Sequence, residues 1–231
     1  MTDDPAGAAR DLVQELFPQA RWALLTGSVT TAARTPGSDL DIVVLLPDRD
    51  PEAPHRDSRT FRGWPVELFV HDAESLQFYR SREEPGRRPV LHRMIATGTP
   101  LVGEPGPWQR ASAAVLTAGP APLTEAERDR ERYAMTDRLD DLRHADDDGE
   151  RTVIAAATWT ATAELALLDG RHWIGTGKWL LRQLRDHDAA LADRWVAAHG
   201  DPDAVAALAD EVLERAGGPL FAGYRVAGER G

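Results

Sequence analysis

The spacing of apolar residues predicts several short, buried strands in the first half of the chain. The apolar runs 22–25 and 42–46 are bounded by Gly, Pro and Asp, which is typical of strands buried on both faces. A third strand is predicted over residues 61–70, where Gly63 and Pro65 interrupt its first part. After the turn at residue 98, residues 101–103 predict a short edge strand.

Helices are predicted from apolar residues that recur every three to four positions. In the first half this spacing covers residues 3–17, 73–82 and 88–97. After a connector rich in Pro and Gly near residue 118, the spacing covers residues 124–145, 150–169, 174–186, 188–199 and 202–216, with no strand pattern between them. The second half is therefore predicted to be entirely helical.

Together these patterns predict an α+β fold with two domains. We expect residues 1–117 to form a small mixed sheet flanked by helices, and residues 118–231 to form an all-helical bundle. Ligands often bind in a cleft between two such domains, so we expect the functional site there.

Composition narrows the classes of partner. The chain has 38 acidic and 27 basic residues, a formal charge of −11, which disfavours binding to a nucleic-acid backbone. Cysteine is absent, which excludes disulfides, thiolate metal sites and a cysteine nucleophile. No apolar run approaches the roughly 20 residues of a membrane span, and the acidic start lacks the pattern of a secretory signal. We expect a cytoplasmic protein without a membrane partner; the sequence leaves its oligomeric state open.

The strongest candidate chemistry lies in an Asp-Leu-Asp motif. Asp39 and Asp41 are two residues apart at a predicted strand, so their side chains point to one face and Leu40 points to the other. Two adjacent carboxylates repel unless a cation lies between them, and Mg²⁺ prefers such oxygen ligands. A pair of these ions can hold the attacking and leaving oxygens of a phosphoryl displacement.

A third acid and a glycine-serine pair extend this pattern. Glu67 is the charged residue of an otherwise apolar strand, so it either faces solvent at an edge or points at the same metal ions, where it could also deprotonate a hydroxyl. Gly27 and Ser28 end the first strand and are predicted to begin a helix, where backbone N–H groups and the Ser28 hydroxyl could bind a phosphate.

These motifs resemble the nucleotidyltransferase fold of the DNA polymerase β superfamily. The resemblance rests on the order Gly27-Ser28, a gap of about ten residues, Asp39-Leu40-Asp41-Ile42, and a later strand with one acid. Within that superfamily, residues 66–72 resemble a strand motif of the streptomycin and spectinomycin adenylyltransferases, and residues 91–103 resemble the segment that closes their catalytic domain. The resemblance covers residues 20–105 well and the helical half only in outline.

The resemblance implies a reaction and a role for each motif. The reaction is Mg²⁺-dependent transfer of a nucleoside monophosphate, AMP from ATP or its counterpart from another nucleoside triphosphate, to a hydroxyl of a small molecule. Asp39, Asp41 and Glu67 would bind two Mg²⁺ ions, and Glu67 would also be the catalytic base. Gly27 and Ser28 would contact the phosphates.

The helical half of these enzymes supplies basic residues to the phosphates. By resemblance, Lys178 and Arg182 take this role, four positions apart on one helix face; Lys178 is also the single lysine among the 27 basic residues. Their other interpretation is a solvated helix face. Glu164, Asp140 and Asp141 are candidates for binding the ammonium groups of a cationic acceptor, such as an aminoglycoside-type antibiotic, in an antibiotic-resistance reaction; they could equally be solvated surface.

Two other classes of function remain open at this point. One is an antitoxin-like or regulatory nucleotidyltransferase that modifies a protein hydroxyl or a tRNA end. The other is a catalytically silent nucleotide-binding module that retains the fold. The net charge of −11 disfavours tRNA, and the presence of Asp39, Asp41 and Glu67 disfavours the silent module.

Overall fold

A computed structural model describes residues 4–227 and shows the predicted α+β architecture. The chain divides into two compact units between Ala118 and Gly119. In the described residues, strands occur in the first unit, while the second is built from helices.

The first unit alternates helices with the strands of one five-stranded sheet. Its elements are α1 (Pro5–Leu16), β1 (Trp22–Thr26), a 3₁₀ turn (Ser28–Thr30), β2 (Leu40–Leu45), β3 (His55–Phe61), β4 (Trp64–His71), α2 (Ala73–Glu83), α3 (Val90–Thr97), β5 (Thr99–Gly103) and α4 (Gly106–Ala118). The strand order is β3-β4-β2-β1-β5; β2 and β4 are parallel, and the other neighbours are antiparallel.

The sheet carries apolar cores on both faces, which explains the continuous apolar runs of β1 and β2. Leu25, Ile42 and Leu68 belong to the core that includes α1. Leu24 and Val43 belong to the opposite core, which includes residues of α2 and α3. The five residues of β1 are all buried, as its sequence predicts.

The strand predicted over residues 61–70 is present as β4, but Phe61 belongs to a further strand, β3, that was not predicted. The structure has a hairpin in which β3 and β4 are joined at Arg62 and Gly63, both with positive φ. Edge strand β3 is mostly polar and exposed, so it lacks the apolar alternation that predicts a strand. Pro65 is tolerated in β4 because the pairing with β2 begins only at Val66.

The second unit consists of α5 (Glu125–His144), α6 (Asp148–Asp169), α7 (Lys178–His187), α8 (Ala189–Ala197) and α9 (Pro202–Arg215). Helices α5, α6, α8 and α9 match the predicted ranges to within two residues, and side-chain caps mark their starts. Helix α7 begins at Lys178, four residues after its predicted start at residue 174, behind Gly177, which forms no side-chain cap. Thr124 forms a capping box with Glu127 at α5, and Asp147, Asp188 and Asp201 cap the helices that follow them. Within residues 4–227, none of the helices combines the length and apolar character that crossing a membrane requires.

Candidate active site

Three carboxylates meet at one edge of the sheet in the first unit. Asp39, Asp41 and Glu67 each offer an oxygen, and these oxygens all lie within 4.8 Å of one another. All three side chains are half-buried. The sequence left open whether Glu67 faces solvent alone or joins the aspartates; in the structure it lies beside them.

The pairing of β2 with β4 explains this juxtaposition. Asp41 and Glu67 are direct partners in the parallel register, so their side chains leave the sheet on the same face. Leu40 and Ile42, on either side of Asp41, are fully buried on the opposite face. Asp39 lies just before β2, two residues from Asp41, and therefore reaches the same place.

Gly27 brings the main chain against one of these acids. Its φ is +83°, a conformation that favours glycine. A Cβ atom at this position would lie 2.1 Å from Oδ2 of Asp41. A side chain here would force the Asp41 carboxylate to move, so the turn after β1 directly contacts the acidic cluster.

The segment after Gly27 is a single 3₁₀ turn over Ser28–Thr30, not the predicted helix. The side chains of Thr30 and Thr31 donate to the carbonyls of Gly27 and Ser28, which favours a tight turn over a continuing helix. A helix N-terminus therefore does not supply the phosphate contact.

A buried serine pair fixes the loop between β1 and β2. The Ser28 hydroxyl oxygen lies 2.9 Å from that of Ser38, which also accepts from the Thr35 N–H at 3.0 Å. Ser38 was not among the predicted site residues, although its place directly before Asp39 was the available indication. The pair positions Ser28 and Asp39 at the two ends of one loop.

Arg56 is a second residue that the sequence did not reveal. Its Nη2 donates to Oε2 of Glu67 at 2.7 Å, and its guanidinium lies over the Phe69 ring, 4.6 Å from the centroid. Arg56 was missed because it lies on the unrecognised strand β3. It orients Glu67 and offsets part of the charge of the cluster.

The acidic cluster fits a divalent cation. Oxygens on opposite sides of one Mg²⁺ lie about 4.2 Å apart, twice the usual ligand distance. Carboxylate oxygens within 4.8 Å of one another therefore suit a single ion after a small rotation, or a pair of ions that share ligands. Asp39, Asp41 and Glu67 are the residues that would hold such ions.

The other candidate residues all lie in the second unit. Lys178 is exposed in the first turn of α7, and Arg182 lies one turn later with its guanidinium 4.6 Å from the centroid of the Trp179 ring. Glu164 is half-buried on α6, while Asp140 and Asp141 are exposed on α5. The predicted roles of all five remain predictions.

Comparisons with known proteins find similarity to solved structures. No family model matches the chain, and no curated protein matches it. A nucleotidyltransferase-like protein from Exiguobacterium sibiricum 255-15 is similar in structure over 91% of this chain and 75% of its own, with 14% sequence identity and a TM-score of 0.45. A likeness at this level does not establish a function.

The contact between Gly27 and Asp41 leads to a testable prediction. Gly27→Ala is expected to weaken binding of Mg²⁺ with α,β-methylene-ATP at least tenfold, because the new methyl group displaces the Asp41 carboxylate. Gly200→Ala is the matched control: Gly200 has φ +84° with nothing within 4 Å of an added Cβ. Both variants should lose about 1–3 kcal/mol of folding free energy to backbone strain. Calorimetric titration measures the binding, and equal nucleotide affinity in the two variants would contradict the assignment.

Proposed function

We propose that this protein is a Mg²⁺-dependent nucleotidyltransferase that moves a nucleoside monophosphate, AMP from ATP in the first instance, to a hydroxyl of a small molecule. The observation that carries the proposal is the acidic cluster directly against the Gly27 turn. The turn can accept a triphosphate at close range because Gly27 has no side chain. The three acids stand where that triphosphate would be cleaved.

Each site residue of the first unit has a role in this proposal. Asp39, Asp41 and Glu67 would hold the metal ions, which when bound neutralise charge on the triphosphate and align its reacting atoms with the acceptor oxygen. Glu67 takes the proton from the acceptor hydroxyl. Arg56 keeps Glu67 oriented through its 2.7 Å hydrogen bond. Ser28, held by Ser38, positions the turn beside the phosphates.

The finer elements of the proposal rest on the resemblance to antibiotic adenylyltransferases. These elements are a cationic aminoglycoside-type acceptor bound by Glu164, Asp140 and Asp141, and phosphate contacts from Lys178 and Arg182. The proposed cytoplasmic location rests instead on the sequence, in which no apolar run has the length of a membrane span. The formal charge of −11 supports a small-molecule acceptor over a tRNA end.

The experiment that tests the function is a combined nucleotide and acceptor screen. The protein is incubated with Mg²⁺ and each of ATP, GTP, CTP and UTP, together with panels of cationic aminocyclitols and of uncharged hydroxylated compounds. Pyrophosphate release and product mass are recorded. Product heavier than the acceptor by one nucleoside monophosphate supports the proposal. Transfer of the γ-phosphate alone would overturn it, because that reaction leaves a diphosphate.

Lys178 allows a test of the second unit. Lys178→Ala is expected to weaken binding of Mg²⁺ with α,β-methylene-ATP at least tenfold, since a charge-assisted contact to phosphate is worth about 1.5–3 kcal/mol. Lys178→Arg should restore part of the affinity, because the charge returns with different geometry. Arg185→Ala, which changes an exposed cation in the last turn of the same helix, is the control. An unchanged dissociation constant for Lys178→Ala would contradict the phosphate contact and support the other interpretation, in which Lys178 lies on a solvated helix face.

A further inference from the structure

A cavity of about 340 Å³ lies on the same face of the sheet as the acidic cluster. Phe69 and His71 of β4 line it, and side chains two residues apart on a strand share a face, so Glu67 continues the same row. Glu67 and Phe69 are about 7 Å apart along the strand. Arg56 touches both of these side chains and also lines the cavity. The cavity therefore adjoins the proposed base.

The walls of the cavity are aromatic and aliphatic. Tyr79 of α2 and Leu91 and Met94 of α3 close it opposite β4. The Tyr79 ring stands edge-on to the His71 ring, with 5.5 Å between centroids. Such a surface favours a flat ring, which can stack against aromatic side chains and cover the aliphatic ones.

Among the described residues that line the cavity, one is acidic, and hydrogen bonds already engage its carboxylate. Glu83 also lines it, but its carboxylate accepts from the N–H groups of Leu91 and His92 at 2.6 and 3.1 Å, at the start of α3. Arg56 adds a positive charge. The positive charge of Arg56 and the hydrogen bonds that already engage Glu83 make this cavity more favourable for a neutral ligand than for an ammonium group.

His71 contributes a neutral imidazole. Its side chain is 8% exposed, and its Nδ1 atom is buried with no hydrogen-bond partner among residues 4–227. Burial lowers the pKa of His71 to about 4, with a further contribution from His55, against the opposite effect of Asp72. The ring is therefore uncharged near neutral pH and retains hydrogen-bonding capacity.

The order of the strands places the cavity on the acceptor side of the cluster. The Gly27 turn follows β1, Asp41 lies on β2, Glu67 on β4 and Arg56 on β3, and these strands are neighbours in that order. A triphosphate at the Gly27 turn and a molecule in the cavity would thus lie on opposite sides of the acids. In a transfer reaction the second position belongs to the acceptor.

We propose that this cavity binds the acceptor, and that the acceptor is an uncharged, ring-containing alcohol or phenol whose hydroxyl reaches Glu67. The inference rests on the proposed nucleotidyl transfer. The acceptor oxygen forms a bond to the α-phosphorus, the bond from that phosphorus to the oxygen bridging to the β-phosphate breaks, pyrophosphate leaves, and the hydroxyl proton passes to Glu67. This acceptor differs from the cationic sugar that the resemblance implies.

The test compares two probes that differ in charge. These are 2-(4-hydroxyphenyl)ethanol and its amine counterpart tyramine, whose dissociation constants are measured by saturation-transfer NMR on the full chain. Met94→Trp is designed to fill the cavity, and Val153→Trp, at a residue 71% exposed on α6, is the matched control. Binding of Mg²⁺ with α,β-methylene-ATP is measured on the same samples. If Met94→Trp fails to fold, Tyr79→Ala is used in its place as the cavity variant, because it removes a lining ring that is 46% exposed.

We expect the wild type to bind the alcohol at least fivefold more tightly than the amine. Met94→Trp should lose at least tenfold in alcohol affinity and keep its nucleotide affinity within twofold, while Val153→Trp changes neither. Equal or tighter binding of the amine, or no binding of the alcohol, would overturn the ligand class. Unchanged alcohol binding in Met94→Trp would show that the alcohol does not bind in this cavity. Loss of both alcohol and nucleotide affinity in Met94→Trp would assign the cavity to the nucleotide instead. Failure of the nucleotidyltransferase proposal is distinguishable: the wild type would then bind the alcohol but not the nucleotide.

Discussion

Asp41→Asn is expected to reduce nucleotidyl transfer at least a hundredfold, and Asp39→Asn to have a similar effect. Each change removes a charged ligand of the proposed metal ions, and metal ions at such sites contribute several kcal/mol to transition-state stabilisation, with about 1.4 kcal/mol for each factor of ten. Turnover is measured with the nucleotide and acceptor found in the screen. Thermal melting of each variant should remain within a few degrees of wild type, because asparagine has the same size and one carboxylate fewer reduces the mutual repulsion.

The matched control for these variants is Asp57→Asn. Asp57 is a half-buried acid on β3 and pairs with Leu68, so its side chain lies on the opposite face of the same sheet. Its replacement should leave turnover within about twofold of wild type. Activity above a tenth of wild type in both Asp39→Asn and Asp41→Asn would contradict the metal assignment.

Glu67→Gln is expected to lower turnover by roughly 10² to 10⁴, which is the usual contribution of a positioned general base. Glutamine can still accept the hydrogen bond from Arg56, so the geometry of β3 and β4 is retained. Nucleotide affinity should fall much less than turnover, because the proton is transferred only in the chemical step. Measuring turnover and nucleotide affinity separately distinguishes the two effects.

A purely structural role for Glu67 makes the opposite prediction. In that case the variant would melt at a lower temperature and turn over at nearly the wild-type rate. Glu15→Gln, at an exposed acid on α1, is the control for the loss of one negative charge from the protein.

The sequence was sufficient to predict most elements of the fold because their apolar periodicity and caps are local. The helices of the second unit follow from apolar spacing and from residues such as Thr124 and Asp147. Strand β3 was missed because an edge strand need not be apolar, and its stability comes from pairing with β4 rather than from its own sequence. Helix α4 was also missed, although Pro107 near its start is a typical opening residue.

The parts of the candidate site that lie within short sequence motifs were predictable. The spacing of Asp39 and Asp41 determines that they share a face, whereas the proximity of Glu67 depends on the register between β2 and β4, which spacing alone does not give. Arg56, Ser38 and the cavity depend on long-range contacts. The close approach of Gly27 to Asp41 likewise emerges only when β1 and β2 pair.

The most direct test of the account is calorimetric titration of α,β-methylene-ATP, whose α–β bond cannot be cleaved, into wild type and Asp41→Asn. Each titration is performed with Mg²⁺ and with excess EDTA. The account predicts that the wild type binds the nucleotide only when Mg²⁺ is present and that Asp41→Asn loses at least tenfold in affinity under that condition. Equal affinity for the nucleotide in Mg²⁺ and in EDTA, or equal affinity of the two proteins in Mg²⁺, would contradict a metal-dependent nucleotide site at the acidic cluster.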